Sequence, residues 1–358
     1  MTAKRMPWWA WAWPLLAWVI LAAAAVTGID SVLAAAAGIS LVLTVFAAVY
    51  HAEVVAHRVG EPFGTLVLAV AVTVIEVALI VSVMVGSTAD KSGLARDTVF
   101  AAVMLICNGL VGLCLVVGGV RHYEQGFQAL GASAALAVLA ALVTLTLILP
   151  NFTLSSPGPL YTPPQLIFAG VVSPVLYCAF VFVQTVRHRG YFLTDFEEDD
   201  VQRAPPSGIA AVGSFVLLLI SLVAVVALAK ALTPMVEAGI DRFGAPKAVV
   251  GVIIAALVLM PESLAAVRAA RLNRLQTSMN LALGSALASI GLTIPTVAFV
   301  SIAMEQPLAL GLGEREEVLL GVTLLISVLT LGTGRTTVLQ GVVHLVILAT
   351  FLFFTVVP

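Results

Sequence analysis

Charge is what this chain has least of. Only 10% of its 358 residues are Asp, Glu, Lys or Arg, against 61% apolar ones, where a soluble domain carries about 25% charged residues. So few charges cannot cover a water-facing surface, which excludes an ordinary soluble enzyme or binding domain. The net charge of −2 gives no electrostatic reason to hold nucleic acid or another polyanion. Cysteine is equally scarce. Cys107, Cys114 and Cys178 each lie inside an apolar run without the paired spacing of a disulfide framework or zinc site, and are expected to be buried, inert thiols. No HExxH, glycine-rich phosphate loop, or Ser/His or Asp/Asp pair in helical context occurs. Nothing therefore points to an enzyme, and no cofactor is implied.

Long apolar runs are what the chain has in quantity. Mean hydropathy is +1.12, so lipid must be the main solvent and the backbone must satisfy itself as helices or as a closed barrel. Runs of roughly 20 residues, rather than alternating stretches of about 10, decide for helices. Eleven spans are expected, at 13–27, 32–50, 63–86, 97–120, 127–149, 165–186, 209–233, 247–267, 278–303, 317–334 and 337–357. Trp8, Trp9, Trp11 and Trp13 precede the first as an interfacial collar. A cleaved signal peptide competes there, because Ala22 to Ala25 offer small residues. With the N-terminus inside, eleven Lys and Arg residues fall at cytoplasmic ends and five at outer ends, which predicts N-inside and C-outside.

One segment interrupts this oily pattern. Residues 188–208 are polar and carry the acidic stretch Asp195, Glu197, Glu198, Asp199 and Asp200. Six spans precede it and five follow. The chain divides into a leading helix (1–30), a first five-helix set (31–187), the acidic cytoplasmic linker and a second five-helix set (209–358). An odd number of spans per set makes the two sets enter the membrane from opposite sides, the layout of an inverted-repeat transporter. The expected fold is therefore an all-α polytopic membrane protein built from one helix and two inverted repeats. The acidic stretch is either a solvated hinge or a weak cation sensor or funnel.

Two carboxylates lie well inside apolar runs, Glu76 in VLAVAVTVIEVALIVSVM and Glu262 in VVGVIIAALVLMPESLAAV. Each opposes membrane insertion by about 2.5–3.5 kcal/mol, and each falls in the second helix of its set. Equivalent costly residues in the two halves argue for one shared cation and proton site. The competing reading, a protonated or paired Glu that merely glues helices, lacks a Lys or Arg partner in the central turns of either span. Pro261 is expected to break its helix, because it removes a backbone donor and frees the carbonyl around Leu257. The next helix of each set adds oxygens. Ser285 and Ser289 are four apart on one helix face, and Asn108 is polar at mid-span. Taken singly, such residues more often form contacts between helices. His51, Glu53 and His57 read as an interfacial cluster or part of a proton path, and His344 as a satisfied helix contact.

The strings HAEVVAHRVGEPFGTLVLAVAVTVIEVAL and MPESLAAVRAARLNRLQTSMNLALGSALASIGLTIP resemble the two signature repeats of bacterial calcium:proton and sodium:proton antiporters of the calcium/cation antiporter superfamily. The resemblance implies that Glu76 and Glu262 are the essential acidic pair and that the chain sits in a bacterial cytoplasmic membrane. Where the sodium/calcium exchanger branch places hydroxyls before each Glu, this chain has Val72 and Thr73, then Val258 and Leu259, so only Thr73 adds an oxygen. That branch's third-helix serine falls on Met104 in repeat one and is kept as Ser285 in repeat two. Fewer oxygens fit one divalent ion traded for protons better than several sodium ions. Calcium takes six to eight oxygen ligands, which Glu76, Glu262, Asn108, Ser285, Ser289, Thr73, carbonyls and water could supply. The expected activity is Ca2+/H+ antiport, with inorganic cations, protons and the bilayer as partners. Na+ or K+ exchange for protons on the same fold, and less well a cation channel, are the alternatives.

Overall fold

The computed structural model of the chain describes residues 6–60, 63–86, 92–192, 206–243, 246 and 248–357. Within these it does not describe the side chains of 65–66, 82–86, 236–237, 240–241 and 243. The expected acidic stretch, Asp195 to Asp200, lies outside the described residues.

The described residues are almost wholly helical and form eleven long helices in the expected order. They are α1 (Trp8–Thr27), α2 (Ser31–Val59), α3 (Phe63–Gly86), α4 (Leu94–His122), α5 (Ala129–Asn151), α6 (Pro163–Arg187), α7 (Gly208–Phe243), α8 (Ala248–Arg271), α9 (Leu275–Ala303), α10 (Glu314–Leu331) and α11 (Val338–Val356). Nine are long and apolar enough to cross a membrane among the described residues. The other two are α3, whose apolar stretch is Val67–Val81, and α10, whose 18 residues include Glu314, Arg315, Glu316 and Glu317. The first helix begins at Trp8, so the tryptophans expected to precede the span form its opening turns. Apolar rings continue a helix as readily as they flank one. The Trp9 ring packs 4.9 Å from Trp13 and 5.1 Å from Tyr50.

The chain forms two compact units. The first comprises 1–91 and 203–245, the second 92–202 and 246–358. Each draws helices from both repeats. In the first unit α2 packs on α1, α3 and α7. Gly28 and Gly60 end α1 and α2 with φ +77°, a conformation that a Cβ disfavours. The Asp30 carboxylate caps α2 by accepting from the Leu33 amide at 2.7 Å, which satisfies one orphan donor. Buried His51 reaches the Ala10 carbonyl with Nε2 at 2.9 Å, tying α2 to the leading helix.

The second unit carries the repeat symmetry in its details. Strand β1 (Gln125–Gly126), between α4 and α5, pairs antiparallel with β2 (Arg335–Thr336), between α10 and α11. The reciprocal connections also meet, because Leu160, between α5 and α6, bridges Ala309, between α9 and α10. The fifth helix of each repeat starts at a capping box. The Thr162 amide donates to Gln165 at 2.9 Å, and the Thr337 amide to Gln340 at 2.7 Å. The third helices, α4 and α9, are the most enclosed spans. Each is interrupted by a π-turn, Leu105–Leu110 in α4 and Ser289–Thr293 in α9.

Close approach is possible in this unit because glycine lines the contacts. A Cβ on Gly251 of α8 would lie 2.9 Å from backbone atoms of Asp97 and Thr98 in α4. One on Gly341 of α11 would lie 2.8 Å from the Gly112 carbonyl oxygen of α4. Small residues at such crossings let dispersion contacts replace the hydrophobic drive that lipid does not supply. Not every apolar residue faces inward, however. Cys107 and Cys114 are buried, but Cys178, expected to be buried, is exposed on α6. In a lipid-solvated helix the outer face is as apolar as the inner one, so an apolar run does not imply burial.

Candidate functional site

In the first unit, α3 presents Thr73 and Glu76 three residues apart on one face. Glu76 is 1% exposed and Thr73 8%. Apolar Val72, Ile75, Leu79 and Ile80 are buried beside them. A helical threonine usually returns its hydroxyl to the carbonyl four residues back, as Thr44, Thr98, Thr146 and Thr233 do at 2.7–2.9 Å. The Thr73 hydroxyl is different, since it makes no hydrogen bond among the described residues. A buried hydroxyl left so costs about 1–3 kcal/mol, a standing cost that a ligand or water would relieve. The oxygen of Thr73 is thus available one turn from a buried carboxylate.

In the second unit, α8 carries Glu262, half-buried, directly after Pro261. The helix runs unbroken through that proline, so the missing amide removes one ladder bond without ending it. One turn beyond Glu262, the Ala266 carbonyl accepts from Ser278 Oγ of α9 at 2.7 Å, which pins the two helices together. On α9, Ser285 is half-buried and Ser289 buried, and Ser289 opens the α9 π-turn. Asn108 lies inside the α4 π-turn and is fully buried. The widened turn bonds i to i−5, as in Val111 N–H to the Ile106 carbonyl, and adds a residue to the helix face. Of the three third-helix oxygens singled out by sequence, Asn108 and Ser289 therefore sit at π-turns, while Ser285 lies in the α-helical turn before Ser289. The Glu262 helix α8 packs against the α4 turn and against α9.

Asn108 is also committed to its neighbours. Its Nδ2 donates to Thr323 Oγ1 of α10 at 2.9 Å, and its Oδ1 faces His344 Nδ1 of α11 at 3.3 Å. The second ring nitrogen of His344 meets Thr330 Oγ1 at 3.2 Å. His344 is the satisfied helix contact expected of it. Sequence reasoning missed the partners Thr323 and Thr330, which with Ser327 form a buried polar stripe on α10. Their spacing of four and three in GVTLLISVLTLG was the available signal. Elsewhere, Glu53 and His57 are exposed while His51 is buried. No group of three or more His, Cys, Asp or Glu could hold a metal ion among the described residues. A hard cation here would have to recruit hydroxyl, amide and carbonyl oxygens beside carboxylates.

The model of the family described as sodium/calcium exchanger protein matches residues 15–186 and 213–357. The chain belongs to that family. Across 365 aligned residues it is 49% identical to the putative ionic transporter y4hA of Sinorhizobium fredii, covering 99% of this chain and 98% of that one. It is 34% identical to the sodium-potassium/proton antiporter ChaA of Escherichia coli, covering 88% and 86%. The solved structure of native YfkE superposes with a TM-score of 0.73 at 16% identity, over 98% of this chain and all of that one. The H+/Ca2+ exchanger CAX gives 0.72 at 16%, over 96% and 87%. At those identities the likeness to the two structures establishes the fold. Exchangers of this family are transporters rather than enzymes, and this chain is a cation antiporter of the membrane.

Proposed function

We propose that the chain exchanges Ca2+ for protons by alternating access, with Glu76 and Glu262 as the carboxylates that cation and protons neutralise in turn. The observation that carries this reading is the buried Glu76 beside the unbonded Thr73 hydroxyl, in the second helix of repeat one. Glu262 occupies the equivalent helix of repeat two. Asn108, Ser285, Ser289, Thr73 and a carbonyl released by Pro261 complete the ligand set, to which water adds the rest of the six to eight oxygens that calcium takes. Two bound protons or one divalent ion cancel the same two charges. Without either, the site would carry about two negative charges across a hydrocarbon barrier, which is strongly opposed. Exchange is thereby enforced and leak suppressed. The bias of basic residues supports an N-terminus in the cytoplasm and a C-terminus outside.

A second reading, Na+ or K+ exchanged for protons by the same residues, is favoured by the 34% identity to a sodium-potassium/proton antiporter. Acidified everted vesicles separate the two. Adding Ca2+, Na+ or K+ singly should release protons for the transported ion alone. Glu76→Gln and Glu262→Gln should each abolish the signal while the protein is still inserted. Normal exchange by either variant refutes the two-carboxylate mechanism.

A further inference from the structure

The hydrogen bonds around Asn108 form a chain with one direction. The amide nitrogen of Asn108 can only donate, so its contact with Thr323 Oγ1 turns Oδ1 toward His344. Oδ1 can only accept, so the Nδ1 facing it carries the ring proton. Nε2 of the neutral ring is then an acceptor, and the Thr330 hydroxyl donates to it. At the far end Thr323, having accepted from Asn108, donates to Met104 Sδ at 3.4 Å. The sequence Thr330, His344, Asn108, Thr323, Met104 links five side chains of three helices, with further contacts from the His344 ring to the Cys107 backbone and from Asn108 Nδ2 to Met104 Sδ at 3.8 Å. All five side chains are buried. Burial strengthens such bonds, and successive bonds polarise one another. In this orientation the Nδ1 proton and the Asn108 Oδ1 hold each other across 3.3 Å.

We propose that His344 is a positioning residue that holds the Asn108 amide so that the remaining lone pair of Oδ1 is presented to the transported cation. This rests on the reading of Asn108 as a cation ligand. The placement supports it, because the π-turn carrying Asn108 packs directly against α8, the helix of Glu262, and against α9, the helix of Ser285 and Ser289. Gly112, one turn after Asn108, lets α11 come close enough for the contact. A Cβ there would lie 3.0 Å from His344 Cβ. An apolar residue at 344 would leave the buried Asn108 Oδ1 and Thr330 hydroxyl without this partner, so the imidazole is matched to those two groups and not to shape alone.

Two isosteric substitutions separate positioning from packing. His344→Asn sets an amide N–H where Nδ1–H stood and keeps the bond to Asn108 Oδ1. His344→Gln keeps a polar atom where Nε2 faced Thr330 and loses the donor to Asn108. In everted vesicles, His344→Asn should exchange with a half-saturating cation concentration within about twofold of wild type. His344→Gln should raise that concentration about tenfold, the scale for losing an outer-shell partner of a metal ligand, with maximal rate largely kept. Equal behaviour of the two variants, whether both normal or both equally impaired, overturns the positioning role. A wild type that releases no protons with Ca2+, Na+ or K+ instead overturns the exchange reading, and this inference with it.

Discussion

Gly341→Ala isolates a close helix crossing in the second unit. An added Cβ would lie 2.7 Å from the Val116 amide nitrogen and 2.8 Å from the Gly112 carbonyl oxygen. Ordinary contact begins at 3.4 Å, so α11 must retreat from α4 by about 0.7 Å. Both obstacles are backbone atoms, and no rotamer change relieves them. Overpacking of this kind costs about 1–3 kcal/mol. At about 2–4 °C per kcal/mol for a body of 150–250 residues, the apparent melting temperature should fall by about 2–12 °C. Gly321→Ala on the exposed face of α10 is the control, since nothing lies within 4 Å of its Cβ. Exchanging a helical Gly for Ala there should gain up to about 1 kcal/mol. Thermal unfolding of the detergent-solubilised protein, followed by fluorescence-detected size exclusion, measures both. The same retreat would lengthen the His344 to Asn108 contact, because Gly341 and His344 lie on one turn of α11. Equal melting temperatures for the two alanine variants would refute the close-approach argument.

Exchange should vanish in Glu76→Gln and in Glu262→Gln with membrane insertion intact, as read by proton release and by membrane-fraction blots. Tags at the N-terminus and near Gln202 should be cytoplasmic and a tag after Pro358 external, by protease or thiol accessibility; both ends on one side would mean a miscounted span. Replacing Asp195, Glu197, Glu198, Asp199 and Asp200 with Asn or Gln should leave maximal exchange intact but raise the half-saturating Ca2+ concentration at low salt. A funnel loses that effect as salt is added, because the screening length is only about 8 Å at physiological ionic strength, and a sensor keeps it. No change at low salt would leave the stretch a plain hinge.

The number, order and approximate limits of the spans were legible in the sequence, because lipid admits only internally satisfied helices and the length of an apolar run fixes each one. Glu76 and Glu262 were legible for the same reason, since a carboxylate stands out against hydrocarbon. Five spans in each set, an odd number once the leading helix is set aside, gave the inverted repeats. What apolar runs cannot encode is which face of a helix turns inward, because the membrane makes both faces oily. Cys178 therefore faces outward, and Thr323 and Thr330 became partners of Asn108 and His344 only once α4, α10 and α11 were packed. The π-turns at Asn108 and Ser289 were equally hidden, since one extra residue in a turn leaves no mark in an apolar pattern with little periodicity of its own. The reciprocal pairing of β1 with β2 and of Leu160 with Ala309 joins residues about 150 or more positions apart in the chain. No local propensity specifies such contacts, and only tertiary packing brings those connections within hydrogen-bonding distance.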